Sequence, residues 1–110
     1  MKRIYFVFAA LLLSLFTAAD SYGAIKLRIM SFNIRCLNGG DAPENQWDRR
    51  ADRVGEYINE VKPDLFGMQE VVYKQFEDVK ARVKGYECIY AGRDDGKNGG
   101  EGTPIFYRPD

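Results

Sequence analysis

Three polar residues stand where the hydrophobic pattern of the chain could put them to chemical use. Asn33 ends an apolar alternation, Glu70 follows the short run Leu65-Phe66-Gly67-Met68, and Glu101 precedes Thr103-Pro104-Ile105-Phe106-Tyr107. Two carboxylates and an amide are hard oxygen donors, and without thiolate or imidazole they favour Mg²⁺, Mn²⁺ or Ca²⁺ over zinc. A cation held by one or two carboxylates keeps positions for water and phosphate oxygens, where it polarises phosphorus and neutralises developing charge. Asn33 can donate to a phosphoryl oxygen without adding negative charge. The chain has no histidine. Chemistry whose base or metal ligand must be an imidazole of this chain is therefore excluded. Each residue also has a plainer role open to it. Asn33 could cap a strand-to-loop turn, Glu70 could be a first-turn helix acid favoured by the helix dipole, and Glu101 could be a solvated loop charge.

A sheet has to bring these three together. In residues 25–35, Ile25, Leu27 and Ile29 alternate with Lys26 and Arg28, and then Met30, Phe32 and Ile34 move the apolar positions to the other face. That predicts a first strand buried on both sides at its far end. Asn38-Gly39-Gly40-Asp41 and Pro43 make residues 37–46 a loop. From Trp47 the period lengthens. Trp47, Ala51, Val54, Ile58 and Val61 form one helical stripe, ended by Pro63. Residues 65–68 predict a short buried strand. Val72, Phe76, Val79 and Val83 mark a second helix, stopped at Gly85. Residues 86–91 read as a third strand, 93–102 as a glycine-rich loop and 103–107 as a fourth strand. Gly92 to Lys97 mimics a phosphate-binding loop, but the glycine spacing is one residue short and Asn98 stands where Ser or Thr is required.

The predicted order is β-α-β-α-β-β, an α/β arrangement with strands one to three parallel and a final antiparallel pair. Strands one and two then end on the edge where strand four begins. Asn33, Glu70 and Glu101 should converge on that rim, the side on which open α/β sheets place ligands.

Of the 110 residues, 16 are basic and 16 acidic. Such neutrality argues against a nucleic-acid binder working through a large basic field. Residues 1–23 have the layout of a secretory signal peptide: Lys2 and Arg3, an apolar run over residues 4–16 broken only by Ser14, then small residues. Cleavage is expected after Ala19 or Gly23. The apolar run is short for roughly 30 Å of hydrocarbon, so no stable membrane anchor should remain and the product should be secreted or periplasmic. Residues 24–110 carry 14 basic and 15 acidic side chains, net −1. Cys36 and Cys88 could bridge in an oxidising compartment, or could be two small buried residues on strands.

Taken together, the motifs resemble a known family. Met30-Ser31-Phe32-Asn33-Ile34-Arg35 and Pro63-Asp64-Leu65-Phe66-Gly67-Met68-Gln69-Glu70 are similar to elements of the endonuclease/exonuclease/phosphatase superfamily, the fold of deoxyribonuclease I. Gly92-Arg93, the stretch from Glu101 to Pro109, and Asn45-Gln46-Trp47-Asp48-Arg49-Arg50 resemble further elements of it. The resemblance implies that Asn33 contacts phosphate, that Glu70 is the principal metal ligand, and that Glu101 is a second acidic residue near metal or phosphate. It places Arg50 and Arg93 on the substrate side, while Trp47 is accounted for by the apolar stripe. It also implies a four-layer α/β/β/α sandwich, of which residues 24–110 would be the N-terminal half, an incomplete domain. The later Asp-x-Asn and Asp-His elements of such proteins have no counterpart here.

The function expected from this is that of an exported, divalent-metal-dependent hydrolase of phosphate esters (phosphodiesterase, nuclease or phosphatase), inactive without its missing C-terminal half. The substrate class stays open among nucleic acid, nucleotide, sugar phosphate and phospholipid. A non-catalytic truncated remnant or partner-binding fragment is the competing expectation.

Overall fold

The computed structural model describes residues 23–110; apart from Gly23, the leader expected over residues 1–23 lies outside the described residues. The elements are β1 (Ile29–Asn33), a 3-10 turn (Pro43–Asn45), α1 (Trp47–Val61), β2 (Leu65–Gln69), β3 (Val71–Val72), α2 (Tyr73–Arg82), β4 (Glu87–Ile89), β5 (Glu101–Gly102) and β6 (Ile105–Tyr107). The four-stranded sheet runs β1-β2-β6-β4, and β3 pairs with β5 in a separate ribbon. β1 and β2 are parallel, and β6 runs antiparallel to both β2 and β4. The mixed α/β class, the predicted strand directions and both helices are present.

β6 separates β2 from β4, so the third predicted strand is an edge strand, paired antiparallel with the fourth as expected. β1 is shorter than residues 25–35. It pairs only where β2 runs alongside it, and the chain enters through Arg28, whose N–H donates to the Asp64 carboxylate at 2.7 Å.

Period-two alternation decides the faces. Met30, Phe32 and Ile34 join Phe66, Met68, Phe106 and Cys88 on the face that receives both helices. There α1 contributes Trp47, Ala51, Val54 and Ile58, and α2 contributes Phe76 and Val79. Each of the larger side chains stabilises by about 1.5–3 kcal/mol when fully buried. Gly55 lets the helices cross closely: a Cβ there would lie 2.6 Å from the Cβ of Arg82. The opposite face is open, with Ile29, Leu65, Ile89 and Ile105 exposed. The first strand is therefore buried on one side among the described residues, not on both.

Neither helix extends into the site. Lys62, at φ 50, caps α1 in the left-handed region before Pro63. α2 starts at Tyr73, so Glu70 precedes its first turn and is not a helical acid. Among the described residues no helix is long and apolar enough to cross a membrane.

Candidate active site

The site forms because two strands end side by side. Asn33 and Gln69 are register partners at the last positions of β1 and β2. Along β2 the inward positions are Phe66 and Met68, so continued alternation would turn residue 70 into the core. Instead Glu70 adopts φ 60, Val71 becomes the buried residue, and the carboxylate stays on the rim. Left-handed backbone costs a residue with a Cβ about 1–2 kcal/mol, and such strain collects at functional sites.

Glu70 is gripped on both oxygens. Asn33 Nδ2 donates to Oε1 at 3.2 Å, and the Cys36 N–H donates to Oε2 at 3.1 Å. These donors, Asn33 first, hold the Glu70 carboxyl below the usual carboxylate range. Asn33 is itself oriented, because its Oδ1 accepts from the Arg35 N–H at 2.9 Å. That contact fixes which end of the amide faces Glu70. Of the two protons on Nδ2, one is committed to Glu70.

Glu101 arrives from the other side. β5 pairs with β3, setting Glu101 opposite Val72, two residues beyond Glu70. Gly102 makes this close approach feasible: a Cβ there would sit 2.7 Å from the Tyr90 ring and 2.8 Å from the Ala91 carbonyl oxygen. Arg93 Nη1 donates to Glu101 Oε2 at 3.2 Å, and the Arg93 side chain is 69% exposed. Glu70, Ala91, Arg93, Glu101, Gly102 and Thr103 line a cleft of ≈ 200 Å³. The predicted convergence of Asn33, Glu70 and Glu101 is thus realised, with Arg93 at its edge.

Arg50 is placed differently. Its Nε donates to the Asn45 carbonyl at 2.8 Å, Nη1 donates to Ile34 O, and Nη2 reaches Arg35 O at 3.3 Å. The guanidinium also lies over the Trp47 ring, 5.3 Å from its centroid. Arg50 braces the turn after β1 from behind and does not line the Glu70–Glu101 cleft. Trp47 belongs to the core, with its indole N–H donated to Asp78 at 2.8 Å.

Cys36 borders the site, and burial, followed by the Glu101 carboxylate, pushes its thiol up. Both cysteines are free, and only Cys88 lies on a strand.

The donors fit a hard cation. Among the described residues no group of three or more Cys, Asp or Glu side chains is arranged to hold a metal by itself. One or two carboxylates with the remaining positions left to water and substrate suit Mg²⁺ better than Ca²⁺, which takes six to eight oxygens. Two contributors escaped the sequence reading, the backbone N–H of Cys36 and the side chain of Gln75. A signal for Gln75 existed: it lies three residues after Val72 and four before Val79, on the apolar stripe.

No curated protein matches the sequence. Solved structures do. An endonuclease/exonuclease/phosphatase from Bacteroides vulgatus is 45% identical, with a TM-score of 0.75, over 79% of this chain and 33% of that one. A family protein from Bacteroides thetaiotaomicron is 38% identical, with a TM-score of 0.75, over 81% and 33%. A mannosyl-6-phosphatase from Bacteroides thetaiotaomicron is also 38% identical, with a TM-score of 0.72, over 77% and 32%. The chain spans about a third of the length of these structures. The profile of the Endonuclease/Exonuclease/phosphatase family matches residues 30–110, from the start of the buried face of β1 past the end of β6. With the paired strand ends and the Asn33–Glu70 contact inside that span, the chain belongs to the Endonuclease/Exonuclease/phosphatase family.

Proposed function

We propose that this chain supplies the Asn33–Glu70–Glu101 part of the active site of a divalent-cation-dependent hydrolase that cleaves phosphate esters. The observation that carries this reading is Glu70 held ionised on the rim by Asn33 and the Cys36 N–H, facing Glu101 across a cleft. Glu70 and Glu101 would hold Mg²⁺, with Mn²⁺ or Ca²⁺ as substitutes. When bound, the cation draws electron density from the phosphoryl group and neutralises charge on the departing oxygen.

The chain's own residues bind and orient. Asn33 offers its remaining amide proton to a non-bridging phosphoryl oxygen. Arg93, 69% exposed and paired with Glu101 through Nη1 and with Asp94 through Nε, can turn its remaining N–H groups to the same phosphate. The base that activates water is not an imidazole of this chain, which has none. It would come from the remaining two-thirds of a protein as long as the relatives, so the 110 residues alone should be inactive. The open sheet face, carrying Ile29, Leu65, Ile89 and Ile105, is the surface we assign to that remainder as a second sheet of the sandwich. The leader-like residues 1–23 support export to the periplasm or beyond.

For the substrate, the mannosyl-6-phosphatase relative favours a hexose phosphate monoester. The test is hydrolysis by the full-length protein with Mg²⁺, comparing phosphate released from mannose 6-phosphate with alcohol released from a phosphodiester. Glu70→Gln should lower turnover at least about a hundredfold. Unchanged turnover in that variant would remove Glu70 from the mechanism, and a preference for the diester would overturn the sugar-phosphate assignment.

A further inference from the structure

Among the described residues, Gln75 is the buried polar side chain of the core, with no exposed surface. A buried amide is tolerated only when both its ends are hydrogen-bonded, so its partners show what it holds. Its Oε1 accepts from the Val72 N–H at 3.2 Å, tying it to the start of α2. Its Nε2 donates to the Arg35 carbonyl at 2.8 Å, 40 residues back in the chain. That carbonyl belongs to the same peptide unit as the Cys36 N–H, which donates to Glu70 Oε2 at 3.1 Å. The connection therefore runs from the Gln75 amide, through one peptide group, to the carboxylate.

This arrangement has two physical effects. Donation to the carbonyl oxygen polarises the peptide and strengthens its N–H as a donor. It also holds the peptide plane. Arg35 sits at φ 59, a conformation disfavoured for a residue with a Cβ and kept only where its surroundings over-determine it. If that peptide turned over, a carbonyl oxygen would face Glu70 in place of the N–H. Gln75 Nε2 and Arg50 Nη2, both on the Arg35 oxygen, oppose the rotation.

We propose that Gln75 is a positioning residue that orients the Glu70 carboxylate through the Arg35–Cys36 peptide, with Arg50 as a second support on the same carbonyl. Its consequence for cation affinity rests on the reading of Glu70 as a metal ligand; the orientation itself does not.

The test follows the Cys36 amide proton by NMR in the full chain, with Mn²⁺ affinity measured beside it. Gln75→Met keeps the bulk and removes the donor. It should move the Cys36 amide resonance upfield, speed its exchange with solvent and weaken Mn²⁺ binding about tenfold. Val79→Ala, a buried truncation one turn along α2 with no polar tie to the site, should leave all three unchanged despite its cost in stability. If Gln75→Met does not fold, Arg50→Lys, which loses the planar pair of contacts to Ile34 and Arg35, should move the Cys36 amide the same way. A Cys36 amide that stays in place in the folded variant, or moves equally in Val79→Ala, overturns the proposal. A parent chain that binds no Mn²⁺ overturns only the metal-ligand reading of Glu70, and the amide shifts still decide the positioning role.

Discussion

Asn33 Nδ2 lies 3.2 Å from Glu70 Oε1, joining the ends of two parallel strands across 37 residues of sequence. The contact is a charge-assisted hydrogen bond when Glu70 is ionised, so it stabilises the carboxylate over the acid. The proton balance of the fold follows from it.

Glu70 titrates below the ordinary carboxylate range, so its stabilising contribution is present above the unfolded value and is lost as pH falls through the folded one. Asn33→Ala removes the largest cause of the depression. The Glu70 carboxyl midpoint, followed by side-chain ¹³C shift against pH, should move up toward the ordinary carboxylate range. A midpoint that does not move would mean that the Cys36 N–H alone sets it.

A second tie holds the helices together. Trp47 Nε1 donates to Asp78 Oδ2 at 2.8 Å, and Lys74 Nζ lies 2.7 Å from both oxygens of Asp78. Burial pushes the Asp78 carboxyl up, but Lys74 and Trp47 together outweigh it and leave it lowered. Asp78→Ala strands a buried indole N–H and should cost about 1–3 kcal/mol in urea unfolding. Asp78→Asn keeps an acceptor and should cost less. The difference between wild type and Asp78→Ala should shrink as pH falls through the folded carboxyl value.

The open sheet face should bind an apolar dye in the 110-residue chain. Ile89 and Ile105, 62% and 44% exposed, are its contributors on β4 and β6. Ile89→Lys with Ile105→Lys should cut dye fluorescence while changing stability by no more than about 0.5 kcal/mol per site. In a full-length protein the same pair should be strongly destabilising. If it were harmless there, the remainder of the protein would not cover this face.

Cys36 and Cys88 should remain two free thiols even under oxidising export. Cys36 follows β1 and Cys88 lies on β4, at opposite edges of a sheet ordered β1-β2-β6-β4. Three strand steps separate them by roughly 14 Å, against the roughly 7 Å limit for bridgeable Cα atoms. A thiol reagent added to the denatured, unreduced chain should count both. A count of zero in a chain that stays monomeric on a non-reducing gel would require a different strand order.

Much of this was legible locally. The stripe from Trp47 to Ile58, the stop at Pro63 and the short run before Glu70 are decided by neighbours a few residues apart, and the helices and strands appear where those periods occur. The convergence of Asn33, Glu70 and Glu101 was also legible, because it needs only the directions of strands one, two and four. Tertiary structure decided what depends on partners far along the chain. β6 lies between β2 and β4 because backbone pairing brings Gly67 opposite Ile105, a choice that no local period encodes. Glu70 stays on the rim because its backbone turns left-handed there, against the alternation of β2. Arg50 resembles a phosphate ligand in sequence yet spends its donors on the carbonyls of Asn45, Ile34 and Arg35. Gln75 meets Arg35 across 40 residues. Periodicity records which side of an element is apolar; which buried donor meets which distant acceptor is set only when the elements pack.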